Sequence, residues 1–198
     1  GVEATTITIE VNLGGRPAEG QKYHHMVGLP DNAVKEGFQR IEAAIKNSGH
    51  EFPRRLIVVN LAPADIRKQG SAYDLPIAIG VLSSDDQIMN KDLETFIIMG
   101  ELALDGTIRP IRGALPIAIQ ARKEKFKGFI LPKENAKEAA IVSDLAVYGV
   151  GHINEVIDFL NGVRNINPEI HNTRELFEEQ VNSYDVDFAD VKGQENIK

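Results

Sequence analysis

The sequence predicts an α/β fold in which a mixed sheet is covered by helices. Short apolar segments with strand-like patterning alternate with longer segments of helical periodicity along most of the chain. The 198 residues are 42% hydrophobic and 26% charged, which is typical of a globular domain that buries a core. The apolar runs, such as residues 56–62, are far shorter than the roughly 20 residues of a membrane-spanning helix, so we expect no membrane partner.

The first part of the chain predicts two strands followed by a helix. Residues 5–13 alternate between apolar and polar side chains, as a half-buried strand does, and residues 23–27 form a second strand-like segment. Asp31 is a suitable N-cap for the helix that follows, and Gly49 is suited to end it. The apolar stripe of this helix has spacings of four, three and four residues and consists of Val34, Phe38, Ile41 and Ile45.

A buried strand and an apolar helix come next. Residues 55–61 are rich in β-branched side chains, as in a central strand covered on both faces. A polar segment, residues 65–71, precedes an apolar helix over residues 74–82. Since Ser and Asp are preferred at helix N-termini, we expect Ser71 and Asp74 to cap this helix.

The second half of the chain predicts a hairpin and then strictly alternating elements. Residues 96–104 and 107–109 flank the pair Asp105-Gly106, and such an Asp-Gly connection indicates a β-hairpin. The elements that follow are a helix at 113–126, a strand at 129–131, a helix at 134–142, a strand at 146–150 and a helix at 154–160.

The composition argues against sites for cysteine chemistry, tight DNA binding and ATP. The chain has no Cys, which excludes disulfides, thiolate metal sites and cysteine nucleophiles and favours a cytoplasmic location. The net charge of −7 opposes the phosphate attraction on which nucleic-acid affinity depends, so the chain is not expected to bind DNA tightly alone. No G-x-x-x-x-G-K-[ST] loop occurs, so we expect no ATP site within it.

Two groups of residues have the side chains that a functional site could use. His24 and His25 are adjacent on a strand and point to opposite faces, so they are not expected to share a metal ion. Lys68 and Ser71 lie just before the apolar helix, where a lysine could activate a hydroxyl nucleophile. Helix capping by Ser71 is the alternative interpretation of the same pattern.

Four segments resemble the N-terminal domain of bacterial magnesium-chelatase-like AAA+ ATPases, the YifB/ComM family. They are VGLPDNAVKEG (27–37), NLAPADIRKQGSAYDLPIAIGVL (60–82), GELALDGTIRPIRGALPIA (100–118) and ILPKENAKEAA (130–140). The segment DFADVKGQE (187–195) looks like that family's entry into its ATPase module. The resemblance therefore implies an N-terminal domain at 1–162, a linker at 163–186 and the start of a truncated ATPase module at 187–198. It also implies that a short segment of the family's domain precedes Gly1.

The family's domain is in turn similar to the proteolytic domain of Lon, which has a ribosomal-protein-S-five-like fold. Lon carries a serine nucleophile in a G-P-S-A-G-I-A run and a lysine base in a later G-G-x-K run. Matching these runs places Asp74 at the serine position and Leu115 at the lysine position. The resemblance thus implies that both catalytic groups are missing, and that Leu115 packs on the helix that begins at Asp74.

The resemblance implies a non-catalytic assembly or interaction domain. The whole protein would be a ring-forming ATPase, a hexamer, that uses ATP and Mg²⁺ outside this chain and acts on DNA by branch migration during natural transformation. Its partners would be its own ATPase module, ring neighbours and DNA. Two alternatives remain: a Lon-like serine peptidase that uses Lys68 and Ser71, and an accessory subunit of metal chelation.

Overall fold

The computed structural model describes residues 3–171, which form two three-stranded sheets, a short hairpin and five α-helices. This confirms the predicted mixed α/β class. The strands are β1 (Thr8–Leu13), β2 (His24–Val27), β3 (Ile57–Ala62), β4 (Phe96–Ile98), β5 (Glu101–Leu102), β6 (Ile108–Arg109), β7 (Gly128–Pro132) and β8 (Ala146–Val150). The helices are α1 (Asn32–Asn47), α2 (Asp74–Ser84), α3 (Ala114–Lys123), α4 (Lys133–Ala139) and α5 (Ile153–Leu160), with a 3-10 turn at Leu93–Thr95.

The two sheets differ in topology. In the first, central β3 runs antiparallel to β1 and parallel to β2. In the second, central β7 runs parallel to both β4 and β8, and every residue of β7 is buried, as expected for a parallel strand covered on both faces. The β5–β6 hairpin closes through the predicted Asp105-Gly106 turn, where Gly106 has a positive φ of 91°.

Helix α1 begins as predicted. The Asp31 carboxylate accepts a hydrogen bond of 2.8 Å from the Val34 N–H, which satisfies one of the free donors of the first turn. The apolar stripe of α1 is fully buried against the first sheet and α2. Its members are Val34, Phe38, Ile41 and Ile45.

Two apolar clusters stabilise the chain. The larger one joins α1, α2 and α5 to the inner face of the first sheet, where Ile57, Val59 and Leu61 are fully buried. The smaller one lies between β7, β8, α3 and α4 and contains Phe129 and Leu131. Burial of these side chains supplies the main favourable term in folding, at about 25 cal/mol per Å² of apolar surface.

The predicted strand at residues 96–104 is wrong as a single element. It is divided into β4 and β5, because the backbone of Gly100 is used elsewhere: its N–H donates to the Ala72 carbonyl and its carbonyl accepts from the Leu75 N–H. A Cβ at position 100 would lie 3.0 Å from the Ile108 side chain and 3.1 Å from that of Leu75. This close approach ties the start of α2 to the second half of the fold.

Several element ends also differ from prediction. Strand β1 starts at Thr8 rather than residue 5, because its partner β3 ends at Ala62, opposite Thr8. Helix α3 spans Ala114–Lys123 rather than residues 113–126.

The predicted linker is described only as far as His171. Within it, Ile166 packs against the larger cluster, and the Glu169 N–H donates to the Val147 carbonyl at 2.8 Å, beside β8. The rest of the predicted linker and the predicted start of an ATPase module, residues 172–198, lie outside the described residues. Between residues 3 and 171, no helix has the length and apolar character needed to cross a membrane.

Candidate functional site

The position matched to the Lon nucleophile holds a buried ion pair. Asp74 lies in the first turn of α2, and its side chain is 2% exposed. Its carboxylate accepts two hydrogen bonds from the Arg40 guanidinium, 2.7 Å from Nε to Oδ2 and 3.0 Å from Nη2 to Oδ1. A third hydrogen bond, of 3.0 Å, comes from the Leu102 N–H to Oδ2. Such charge-assisted, two-pronged pairs are the strongest class of side-chain hydrogen bond.

The surrounding backbone is shaped to admit this pair. Gly37 on α1 faces Asp74, and a Cβ at position 37 would lie 2.4 Å from the Asp74 Oδ1 atom. Arg40 follows one turn later on the same helix and also donates to the Ala33 carbonyl at 3.2 Å. Gly37 therefore provides the space through which Arg40 reaches the carboxylate.

Burial has the largest effect on the pKa of Asp74, and the hydrogen bond between the two side chains has the largest effect on the pKa of Arg40. Burial raises the pKa of Asp74 above its ordinary 3.8, while the hydrogen bonds from Arg40 and Leu102 oppose that rise and the nearby Glu101 carboxylate adds to it. The hydrogen bond to Asp74 raises the pKa of Arg40, so the guanidinium stays charged. Arg40 thus favours the ionised form of a carboxyl group whose burial favours the protonated one.

Ser71 does not cap α2, contrary to prediction. The helix begins after Tyr73 without a side-chain cap, and the Ser71 hydroxyl instead donates to the Glu101 carboxylate. Glu101 in turn lies 3.7 Å from the Arg109 Nε atom. Glu101 links two groups of side chains, because it accepts from Ser71, faces Arg109, and its charge acts on Asp74 beside Arg40. We call these five residues the Asp74 cluster: Arg40, Ser71, Asp74, Glu101 and Arg109.

Lys68 has a structural role: its side chain holds two loops together. It is fully buried, and its ammonium donates to the Gly28 carbonyl at 2.7 Å and to the Pro63 carbonyl. The backbone of Lys68 pairs with the same loop, through hydrogen bonds with Leu29 and Asp31. The lysine therefore fixes the loop between β2 and α1, and its ammonium and the Ser71 hydroxyl bind different partners.

Leu115 lies in the first turn of α3 and is half-buried. Its side chain packs against the smaller cluster, whose members lie outside α2, and the expected packing of Leu115 on α2 stays a prediction. The Leu115 N–H donates to the Glu138 carboxylate at 3.3 Å. An aliphatic side chain here can neither accept nor donate a proton.

The cluster has little capacity for nucleophilic catalysis. Asp74 is enclosed, with both oxygens bound, and the Ser71 hydroxyl donates to a carboxylate that also faces Arg109. A serine nucleophile needs a base beside it that is free to take the proton. Within residues 3–171, no three His, Cys, Asp or Glu side chains are grouped so as to hold a metal ion.

Sequence reasoning missed the Arg40–Asp74 pair, whose members are 34 positions apart. The sequence did contain one signal, because Gly37 lies inside a helix of strong apolar periodicity. A glycine there lowers helix stability by about 1 kcal/mol, which indicates that a close neighbour leaves no room for a side chain. The buried role of Lys68 had no such signal, since it lies in a segment that reads as polar and exposed.

Comparison with known proteins identifies the family of the chain. The family model described as subunit ChlI of Mg-chelatase matches residues 9–135. Competence protein ComM of Haemophilus influenzae is 37% identical over 198 residues, which is 100% of this chain and 38% of ComM. The uncharacterized protein YifB of Salmonella typhimurium is 41% identical over 162 residues, 82% of this chain and 31% of YifB. The chain thus spans well under half the length of these relatives.

A more distant similarity agrees with the Lon comparison. An archaeal Lon protease from Thermococcus kodakarensis is 28% identical over 163 residues, 79% of this chain and 25% of the protease. The family match covers the first sheet, the Asp74 cluster and most of the second sheet. The chain belongs to the Mg-chelatase ChlI-like family, as a ComM/YifB-type member.

Proposed function

We propose that this chain is a non-catalytic assembly or interaction domain of a ComM-like AAA+ ATPase. The rest of the protein would bind ATP and Mg²⁺, form a ring, and act on DNA by ATP-driven branch migration during natural transformation. In this proposal the domain positions the ATPase module and its ring neighbours, and DNA is handled by the whole assembly. The chain's net charge of −7 favours that division of labour.

One observation carries the non-catalytic part of the proposal. At the position matched to a Lon nucleophile, the Asp74 carboxylate is buried and bound by Arg40. At the position matched to the Lon base, Leu115 carries no titratable group. Both oxygens of this carboxylate accept hydrogen bonds, so it is not free to act as a base, and neither matched position carries a hydroxyl.

The role in DNA processing is supported by the relatives. The match of all 198 residues to 38% of a competence protein favours a function in competence. A DNA repair protein, RadA of Aquifex aeolicus, is 34% identical over 106 residues, 52% of this chain. Two relatives whose names refer to competence and DNA repair thus share this kind of domain.

A Lon-like peptidase is the second candidate, because the archaeal Lon similarity covers most of the chain and Ser71 keeps a hydroxyl near the site. Metal chelation is suggested by the family model's description alone. The full-length protein can separate these candidates from the proposal.

The test uses a naturally transformable host that lacks its own homologue. It is complemented with the full-length protein, with a form that lacks residues 1–162, or with full-length Ser71→Ala. We expect the truncated form to hydrolyse ATP but not to restore transformation, and Ser71→Ala to restore it fully. Its ATPase rate shows that the truncated form has folded. Full transformation by the truncated form, or loss of transformation in a folded Ser71→Ala protein, would contradict the proposal.

A further inference from the structure

The densest group of positive charges in the chain lies at the end of α3. Four of the 22 Lys and Arg residues fall within residues 122–127, which we call the basic turn, and all four are exposed: Arg122, Lys123, Lys125 and Lys127. The one acidic residue of the turn, Glu124, accepts hydrogen bonds from the Thr6 hydroxyl and from the Gln120 amide. With four positive charges and one negative, the turn has a net charge of +3 in a chain whose net charge is −7.

The positive charges of the basic turn are not neutralised by ion pairs. Within residues 3–171, every ion pair that the structure shows joins side chains outside the turn. Asp92 and Glu94 precede the neighbouring strand β4, and Asp144 precedes β8, yet none of these carboxylates forms an ion pair with the turn. The charges therefore remain available to a partner.

Helix α3 itself explains only two of the four cations. Arg122 and Lys123 lie in its last turn, where positive side chains offset the partial negative charge of a helix C-terminus. This effect fades beyond the last turn, and Lys125 and Lys127 lie past the end of α3. Stabilisation of the helix therefore does not account for these two lysines.

Lys125 occupies a backbone position that favours glycine. Its φ is 63°, in the left-handed region. The Lys125 N–H donates to the Arg122 carbonyl and the Phe126 N–H to the Ala121 carbonyl, both at 3.0 Å, a pattern that usually has glycine at this place after a helix. A side chain there strains the backbone, which glycine would not do. The lysine is therefore better explained by its charge than by the local backbone.

Lys127 is anchored beside β4. Its N–H donates to the Thr95 carbonyl at 2.8 Å, and its ammonium lies 5.8 Å from the centre of the Phe96 ring. The strand that follows it, β7, is buried along its whole length. Charges that are presented from such a fixed backbone lose little conformational freedom when they bind a partner.

We propose that the basic turn contacts the phosphate backbone of double-stranded DNA when the assembled protein acts on it. This inference rests on the proposed function, which makes DNA the substrate of the whole assembly. Three of the four cations are lysines, which bind phosphate as point charges and need no planar partner. The rest of the chain has an excess of acidic residues that repels a polyanion, so DNA approaches through this face.

Such a contact positions DNA without reading its sequence. Its strength comes from the release of counterions from the phosphates and from repetition of the contact in several copies of the domain. A single copy with a net charge of −7 is therefore expected to bind DNA weakly, and the full-length protein is the form to test.

The test measures binding of a short fluorescent DNA duplex of mixed sequence to the full-length protein, by fluorescence anisotropy at several salt concentrations. Wild type is compared with the double variant Lys125→Gln, Lys127→Gln. The matched control is Lys22→Gln, Arg54→Gln, which removes two exposed cations beside the first sheet that form no ion pair within residues 3–171. ATP hydrolysis measured without DNA shows that each variant has folded.

Only the variant of the basic turn should weaken binding, by about tenfold or more at low salt. The slope of log affinity against log salt concentration should become shallower by about 2 for each copy in contact with DNA, since two phosphate contacts are lost. Equal affinities of this variant and wild type, or equal losses in the two double variants, would overturn the inference alone. A wild type that binds no DNA would overturn the proposed function as well.

Lys125→Gly separates the charge from the backbone. Because glycine suits the left-handed φ, the 198-residue chain with this change should melt about 1–3 °C higher than wild type. The same change in the full-length protein should nevertheless weaken duplex binding, and unchanged binding would overturn the inference. Polyglutamate that competes with the duplex at equal charge concentration would assign the turn to an acidic protein surface and would also overturn it.

Discussion

Removal of the Arg40 guanidinium should be among the most harmful single changes in this domain. Arg40→Leu deletes two of the three hydrogen bonds that the Asp74 carboxylate accepts and leaves that group 2% exposed without a counter-charge. Breaking a buried pair on one side typically costs about 3–5 kcal/mol. Arg40 is itself 25% exposed, so some water reaches the pair and we expect about 3 kcal/mol.

The loss should depend on pH in a defined direction. Burial already raises the pKa of Asp74 above 3.8, and loss of Arg40 should raise it further. A folded state with a raised carboxyl pKa binds the proton more tightly than the unfolded state, so its stability falls as pH rises from 3.8 through the folded pKa. The penalty of Arg40→Leu should therefore be largest near neutral pH and should shrink as the solution is acidified.

The assay is urea unfolding of wild type and variant at several pH values. In a parallel thermal unfolding measurement, a loss of about 3 kcal/mol in a domain of this size corresponds to a fall in melting temperature of roughly 6–12 °C. Arg109→Leu is the matched control: its guanidinium is 60% exposed and 3.7 Å from Glu101, so its loss should cost no more than about 1 kcal/mol. Equal unfolding free energies for the two variants, or a penalty of Arg40→Leu that grows on acidification, would refute the reasoning.

Three further changes probe the fold. Gly37→Ala should destabilise the domain by about 1–3 kcal/mol in chemical denaturation, because the added methyl would lie 2.4 Å from the Asp74 carboxylate. A variant more stable than wild type would show that the Asp74 carboxylate can move away. Burial, together with the hydrogen bond to Glu42, raises the pKa of Tyr23 from 10.0 to about 12, so stability should fall between these pH values. Burial also raises the pKa of Tyr73, so near-ultraviolet titration should show the late ionisation of more than one tyrosine, and Tyr23→Phe should reduce its amplitude. An unchanged amplitude in that variant would assign the late ionisation elsewhere. Leu115 is half-buried, so Leu115→Ala should lower the free energy of unfolding by less than the roughly 2–5 kcal/mol that a fully buried leucine contributes. A larger loss in thermal unfolding would place Leu115 in the core.

Local patterns predicted the features that depend on neighbours in sequence. The Asp31 cap, the buried stripe of α1 and the Asp105-Gly106 hairpin each need only a few adjacent residues, and each occurs where expected. The alternating apolar runs likewise predicted the order of strands and helices.

The errors arose where distant residues compete for the same groups. The Ser71 hydroxyl was expected to bind its own helix, but it donates its hydrogen bond to Glu101, 30 residues away. The strand predicted through Gly100 is broken because its backbone pairs with Ala72 and Leu75. The Arg40–Asp74 pair and the buried Lys68 ammonium likewise depend on tertiary contacts that no local pattern encodes.

The central proposal is that Ser71 and the positions of Asp74 and Leu115 do not form a serine peptidase site, and labelling with a fluorophosphonate probe tests it most directly. The folded wild type and Ser71→Ala are treated alike, with casein or fluorogenic-peptide turnover measured in parallel. The account predicts that neither protein is labelled and that turnover stays at background in both. Neither matched position carries a hydroxyl, the Asp74 carboxylate is bound by Arg40, and the Ser71 hydroxyl donates to a carboxylate that faces Arg109. Labelling and turnover in the wild type that disappear in Ser71→Ala would contradict it.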